Sequence, residues 1–289
     1  MAHTPAAMPT STSTVVITDS ACDLPQDWLD QHHVVMVPLN INFEDGSFTD
    51  RRDIDNAAFY AKLARAAHPP KTAQPAPGAF VEAFDAAAAG GAKVLCLTMS
   101  ARMSGTHGSA QIATGLTKAD VLLVDSEAMS VLLAAQVRGA VATLESGGGR
   151  EAAAAEAARI RGDQELLFTV PDLIALREGG RIGRAGALLG GVLQVRPILT
   201  MREGEVEVQS RVRTNARARE AIVERLSRQV AERGKRASVM VAAADDTTLV
   251  EELAARVEGY AVEVTRIEIG PVIAAHTGAG TGGIGYHFN

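Results

Sequence analysis

Several short stretches of this 289-residue chain carry residue types that can hold or transform an anion. The first is Met103-Ser104-Gly105-Thr106, which follows an apolar run over residues 94–99. A serine between a strand and a helix can be a nucleophile, or half of a cradle for a carboxylate or phosphate. Gly105 lets a backbone approach a ligand closely, and the helix that follows presents free N–H groups and the positive end of its dipole. The stretch has no G-x-S-x-G elbow, since residues 101–105 read Ala-Arg-Met-Ser-Gly. Its glycines match neither a P-loop nor a dinucleotide fingerprint.

Lys71-Thr72-Ala73-Gln74-Pro75 offers a second hydroxyl, Thr72, in a proline-bounded loop. Such loops can be held rigidly over a pocket, although most such threonines only bond their own turn. In Ala275-His276-Thr277-Gly278, His276 ends an apolar run and meets a glycine-rich turn, which suits ligand contact by His276 and Thr277 as well as a structural hydrogen bond. Arg181 stands between glycines in Glu178-Gly179-Gly180-Arg181-Ile182, where it can bind an anion or dock a partner. Arg184 and Arg211 read as ordinary surface charge. Asp19-Ser20, Ser100 and Asp125-Ser126 also end strand-like runs, and for Asp19, Ser20 and Asp125 capping of the next helix is the favoured role.

These residues need elements to position them. Continuous apolar runs at residues 14–18, 94–99 and 121–124 suit strands buried on both faces, as in a parallel sheet. Helical patterns at 80–89, 106–116 and 129–144 alternate with them, which implies right-handed βαβ units. Residues 34–43 contain Pro38 and predict an edge strand in a possible small insertion over 34–75, and the proline-rich stretch 69–77 predicts a loop. After Gly147-Gly148-Gly149 the pattern changes: helices at 151–161, 184–193 and 215–233, a strand at 166–170, a hairpin around Glu203-Gly204, and strands at 239–243 and 262–269. The expectation is an α/β protein of two domains, a Rossmann-like parallel βαβ sheet over 14–148 and an α+β domain over 149–289. In open parallel sheets ligands bind beyond the carboxyl ends of the strands, where Ser104 lies.

Bulk properties narrow the function. A formal net charge of −6 argues against a nucleic acid or an anionic membrane as the main partner. Apolar residues make up 47% of the chain but aromatics only 4%, so the core must be built from Ala, Val, Leu and Ile. Cys22 and Cys96 have no metal or redox spacing and read as buried fillers in a reducing cytosol. Residues 1–13 have the composition of a disordered tail and lack the basic and apolar regions of a signal peptide.

In order along the chain, several pieces resemble the DegV family of bacterial fatty-acid-binding proteins. They are Asp19-Ser20-Ala21-Cys22-Asp23-Leu24-Pro25, Thr72-Ala73-Gln74-Pro75, residues 97–106, Asp125-Ser126, Gly179-Gly180-Arg181-Ile182, Arg196-Pro197-Ile198-Leu199, Val212-Arg213-Thr214 and His276-Thr277-Gly278. No single piece is specific, whereas the ordered set is. The resemblance implies a cytoplasmic, non-catalytic carrier without a cofactor, holding a long-chain fatty acid between its domains. Thr72 and Ser104 would hold the carboxyl group, with His276 beside it. The acid would be presented to a separate fatty acid kinase subunit, which makes an acyl-phosphate for phospholipid metabolism, with only transient membrane contact. Arg181 and Arg213 would serve work with that kinase. Ala73 stands where the family usually has Ser, and Met103 and His107 where Leu and Tyr are common.

Two other readings stay open on the residues alone. One is a hydrolase using Ser104 and His276. The other is a substrate-binding subunit like that of dihydroxyacetone kinase, in which a histidine binds the sugar covalently.

Overall fold

The structure, a computed structural model, describes residues 13–188 and 195–288. Residues 1–12 of the expected tail, and 189–193 of the helix expected at 184–193, lie outside the described residues. The part of that helix within them is a 3-10 turn, Gly183–Leu188.

The first half of the chain runs β1 (Thr14–Asp19), α1 (Gln26–Gln31), β2 (Val35–Val37), β3 (Asn40–Phe43), β4 (Gly46–Thr49), α2 (Asn56–Leu63), β5 (Lys71–Ala73), α3 (Pro77–Ala88), β6 (Lys93–Thr98), α4 (Thr106–Thr114), β7 (Val121–Asp125) and α5 (Val131–Glu145). Strands β2-β1-β6-β7 form a four-stranded, all-parallel sheet. Its apolar runs are unbroken because both faces are covered. Ile17, Val94 and Cys96 face Phe80 and Phe84 of α3 and Ala110 and Ala113 of α4. Val16, Leu95 and Leu97 point the other way, into the central core with α5.

The second half runs α6 (Arg150–Asp163), β8 (Glu165–Thr169), α7 (Ile174–Glu178), β9 (Arg196–Arg202), β10 (Glu205–Val212), α8 (Asn215–Arg233), β11 (Ala237–Ala243), α9 (Thr247–Val257), β12 (Ala261–Glu268), α10 (Pro271–Thr277) and β13 (Gly282–His287). It builds a separate, mixed six-stranded sheet in the order β10-β9-β8-β13-β11-β12. Only β11 and β12 pair in parallel, joined through α9. Val239, Val241, Ile284 and Tyr286 pack outward with Ile222 and Leu226 of α8 and Leu253 of α9. Leu166, Phe168, Met240 and Ala242 face inward and share the central core with α5 and with Val16 and Leu97 of the parallel sheet. Helix α5 touches β1 and β6 on one side and β8, β11 and β13 on the other. The fold is therefore α/β, with two sheets facing each other across a shared helical layer.

Three elements differ from the sequence reading. Residues 34–43 are not one strand: the chain breaks at Pro38-Leu39, leaving β2 at the edge of the parallel sheet and β3 in a small antiparallel sheet, β4-β3-β5. The stretch 69–77, expected as a loop, contains β5, because pairing with β3 outweighs the flanking prolines. Strand β13 carries no apolar alternation in its sequence, yet it lies between β8 and β11. Three of its positions are Gly282, Gly283 and Gly285, where side-chain space is taken by Leu249, by Leu167 with Phe168, and by Val131.

Candidate functional site

Thr72 owes its position to register. In the antiparallel pair β3–β5 it lies opposite Ile41, and prolines on both sides confine the strand to three residues. His276 owes its position to α10, which starts with Pro271 at its first turn and stops at Gly278, φ 83°. The two meet, Thr72 Oγ1 lying 2.7 Å from His276 Nε2. The other ring nitrogen, Nδ1, is buried and makes no hydrogen bond. It packs against Gly179, where a Cβ would overlap it. Burial, and then the charge of Arg181, lower the His276 pKa to about 4, so the ring is neutral near pH 7.

Ser104 lies in the turn between β6 and α4, where its N–H donates to Ser100 O at 3.1 Å. Its hydroxyl is 2.8 Å from Thr106 Oγ1 and accepts from Thr106 N at 3.3 Å. Arg181 clamps that turn: its Nε donates to Met103 O at 3.0 Å and its Nη1 to Gly179 O at 2.6 Å. One guanidinium thus spans the serine turn and the glycine that packs on His276.

A narrow cavity joins these groups. Thr72, Ser104, Arg181, His276 and Thr277 line its polar side; Leu39, Met99, Met103, Met129, Leu176 and Ile273 are among the apolar residues around them. Its volume is about 20 Å³, little more than room for one water. A second cavity of about 30 Å³ adjoins it, sharing Met129, Ile273 and Thr277, and continues between Leu166, Phe168, Ala242 and Ile269. Its three hydroxyls are engaged as donors: Ser130 to Asp23, Thr277 to Ile273 O and Thr281 to Thr277 O. Polar groups therefore gather at one end and a hydrocarbon-like surface at the other. The lining methionines are unbranched and polarisable, which lets such a surface adapt to an occupant.

Two residues singled out in the sequence are not brought to this cavity. Gly105 is not part of its lining; a Cβ there would overlap the side chain of Gln74, which donates to Ser109 Oγ at 3.0 Å. The close approach it permits is to Gln74, not to the cavity. Arg213 stands exposed at the bend between β10 and α8 and is not among the lining residues. Arg181, expected as a docking group, is partly buried and donates to two carbonyls at the cavity wall. Sequence reasoning missed Gly179 and Met129, whose roles depend on neighbours distant along the chain.

Ser104 and His276 share no hydrogen bond among the described residues, and His276 has no second group orienting it. A nucleophile–base pair needs both. Among the described residues no group of three or more His, Cys, Asp or Glu is placed to hold a metal ion, and no helix is long and apolar enough to cross a membrane.

The two-sheet architecture matches known proteins over nearly the whole chain. The DegV family model matches residues 13–289. The chain belongs to the DegV family. A solved DegV family protein from Thermus thermophilus, described as fatty-acid binding, is 35% identical, with a TM-score of 0.89 over 96% of this chain and 100% of that one. A stearic-acid-binding protein from Eubacterium ventriosum is 27% identical, with a TM-score of 0.87 over 94% and 97% of the two chains. A DegV domain-containing protein of Streptomyces coelicolor is 33% identical over 276 residues, 93% of this chain and 96% of its own.

Proposed function

We propose that this protein binds one long-chain fatty acid, with its carboxyl group at Thr72, Ser104 and His276 and its tail in the apolar cavity, and presents that group to a fatty acid kinase subunit. The observation that carries the reading is the pair of adjoining cavities whose one cation and one imidazole, Arg181 and His276, both lie at one end. A buried carboxylate needs donors and charge compensation. The Thr72 and Ser104 hydroxyls supply donors, and Arg181 supplies a fixed positive charge at the wall. The tail contributes about 0.8 kcal/mol per buried methylene, so a long chain binds tightly without any ion pair along its length.

In the transfer itself, a carboxylate oxygen attacks the γ-phosphorus of ATP held by the kinase, and ADP leaves. This chain contributes orientation and exclusion of water; neutral His276 keeps a proton at the head without adding a second charge there. Arg213, exposed near the start of α8, and Arg181 at the cavity wall are the arginines that would meet the partner. The domain division at Gly147-Gly148-Gly149 and a cytoplasmic setting belong to the same reading.

The competing readings fit less well. A Ser104–His276 hydrolase lacks the Ser–His bond, and a small polar sugar leaves the apolar cavity unused. Calorimetry with palmitic acid and with methyl palmitate separates head recognition from greasiness. The acid should bind at least about tenfold tighter, the change that 1.4 kcal/mol produces. Equal affinity for the ester would exclude a carboxyl cradle.

A further inference from the structure

The turn after β1 braces both sides of the head of the cavity without lining it. Asp19 and Asp23 are 0% and 2% exposed. Asp19 Oδ2 accepts Met99 N at 2.7 Å, and Oδ1 accepts Ala21 N at 3.0 Å. Met99 lines the cavity, and the turn that follows it carries Ser104. Asp23 Oδ2 accepts Ser130 Oγ at 2.6 Å, and Oδ1 accepts Gly270 N at 3.0 Å. Gly270 is the N-cap of α10, the helix that bears His276 and Thr277. Its φ of −80° suits any residue. What calls for glycine is Asp23: a Cβ at 270 would stand 2.8 Å from Asp23 Oδ1.

Two further contacts hold the same joint. Arg51 Nη1 donates to Leu24 O at 2.6 Å, and the Tyr60 hydroxyl donates to Ile269 O at 2.5 Å. One five-residue turn therefore fixes where the serine side starts and where the histidine helix starts.

We propose that Asp23 is a positioning residue for the head of the site: its carboxyl group sets the start of α10, and so the placement of His276 against Thr72, while Asp19 fixes the Ser104 side from the same turn. Asp23 never touches the ligand and acts only through Gly270 and Ser130. The geometry of the group, more than its charge, makes these bonds. An asparagine can keep both, its oxygen accepting Gly270 N and its amide donating to Ser130 Oγ. The binding readout rests on the fatty-acid reading; the imidazole readout does not.

The test compares Asp23→Asn, Asp23→Ala, Gly270→Ala and the Asp23→Ala/Gly270→Ala double variant. A control, Ile222→Ala, weakens packing on the outer face of the mixed sheet. The readouts are the NMR titration of His276 in the ligand-free protein, palmitate Kd and Tm. Asp23→Asn should keep the wild-type His276 titration and Kd. Asp23→Ala and Gly270→Ala should each raise the His276 midpoint from about 4 and weaken palmitate about tenfold, with the double variant no worse than Asp23→Ala. Ile222→Ala should lower Tm and move neither readout. The proposal is overturned if Asp23→Ala and Gly270→Ala leave the His276 midpoint in place, or if Ile222→Ala shifts it equally. Should Asp23→Ala fail to fold, Gly270→Ala decides by the same criterion. Absence of palmitate binding by the wild type would contradict the fatty-acid reading, and the imidazole titration would still decide the positioning role.

Discussion

Thr72 Oγ1 lies 2.7 Å from His276 Nε2, joining a short strand to a helix 204 residues later in the chain. The contact places a hydroxyl and a neutral imidazole side by side at the polar end of the cavity. Burial and the nearby Arg181 charge hold the ring at a pKa of about 4. A carboxylate arriving beside it favours the protonated ring and works against both causes. The NMR midpoint of His276 should therefore lie near 4 in the free protein and rise when palmitate is bound. An unchanged midpoint at saturation would place the carboxyl group elsewhere.

Removing either hydroxyl should weaken the head alone. A hydrogen bond to a charged group contributes about 1.5–3 kcal/mol, so Thr72→Ala and Ser104→Ala should each raise the palmitate Kd by about tenfold or more. Circular dichroism of both variants and the Tm of Ser104→Ala should stay close to wild type, while Thr72→Ala, which strips buried His276 Nε2 of its partner, should lower Tm by a few degrees. Affinity for methyl palmitate should change little. A Ser104→Ala variant with wild-type affinity for the acid would remove Ser104 from the cradle.

The tail end is tested by volume. Ala242 lines the inner cavity with Phe168 and Ile269. Ala242→Leu adds bulk where the far end of a long chain would lie. It should weaken stearate strongly and spare decanoate, at a stability loss of about 1–3 kcal/mol from overpacking. Equal losses for both acids would mean that the tail does not reach this chamber.

The parallel sheet was legible because residues 14–18, 94–99 and 121–124 are continuous apolar runs, the pattern that suits strands covered on both faces. The long helix Asn215–Arg233 was legible from its charged surface pattern. At the site, Ser104 and His276 drew attention through local signals, a strand–turn–helix and a glycine-rich helix end. Spacing left their partners open, and the family resemblance supplied the pairing of Thr72 with Ser104. Three features had no local signal. Strand β13 is glycine-rich because its neighbours fill the space beside it. Gly179 answers to His276, and Gly270 to Asp23, contacts set by folding between residues distant along the chain. Arg181 was readable as a cation between glycines, but its two carbonyl partners were not.

Buried carboxyl groups give the protein a pH signature. Burial raises both Asp19 and Asp23 from 3.8 to about 7. Between those values the folded state holds protons that the unfolded chain has released. The stability they contribute is fully present below 3.8 and is lost as pH rises through about 7. His276 runs the other way: its contribution is present above 6.5 and is lost as pH falls through about 4. That term is common to wild type and Asp23→Asn and cancels in their difference. Asp23→Asn should therefore gain stability relative to wild type between pH 4.5 and 7.5, by up to a few kcal/mol in urea unfolding. A flat difference, or one of opposite sign, would mean that Asp23 is not held protonated by burial.

The most direct test of the central claim is native mass spectrometry of the purified protein, followed by lipid extraction and incubation with palmitate or oleate. One long-chain fatty acid per chain is expected, either carried through purification or taken up on addition, and lost when Thr72 and Ser104 are both replaced by Ala. A wild-type protein that carries no fatty acid and takes up neither palmitate nor oleate would contradict the claim.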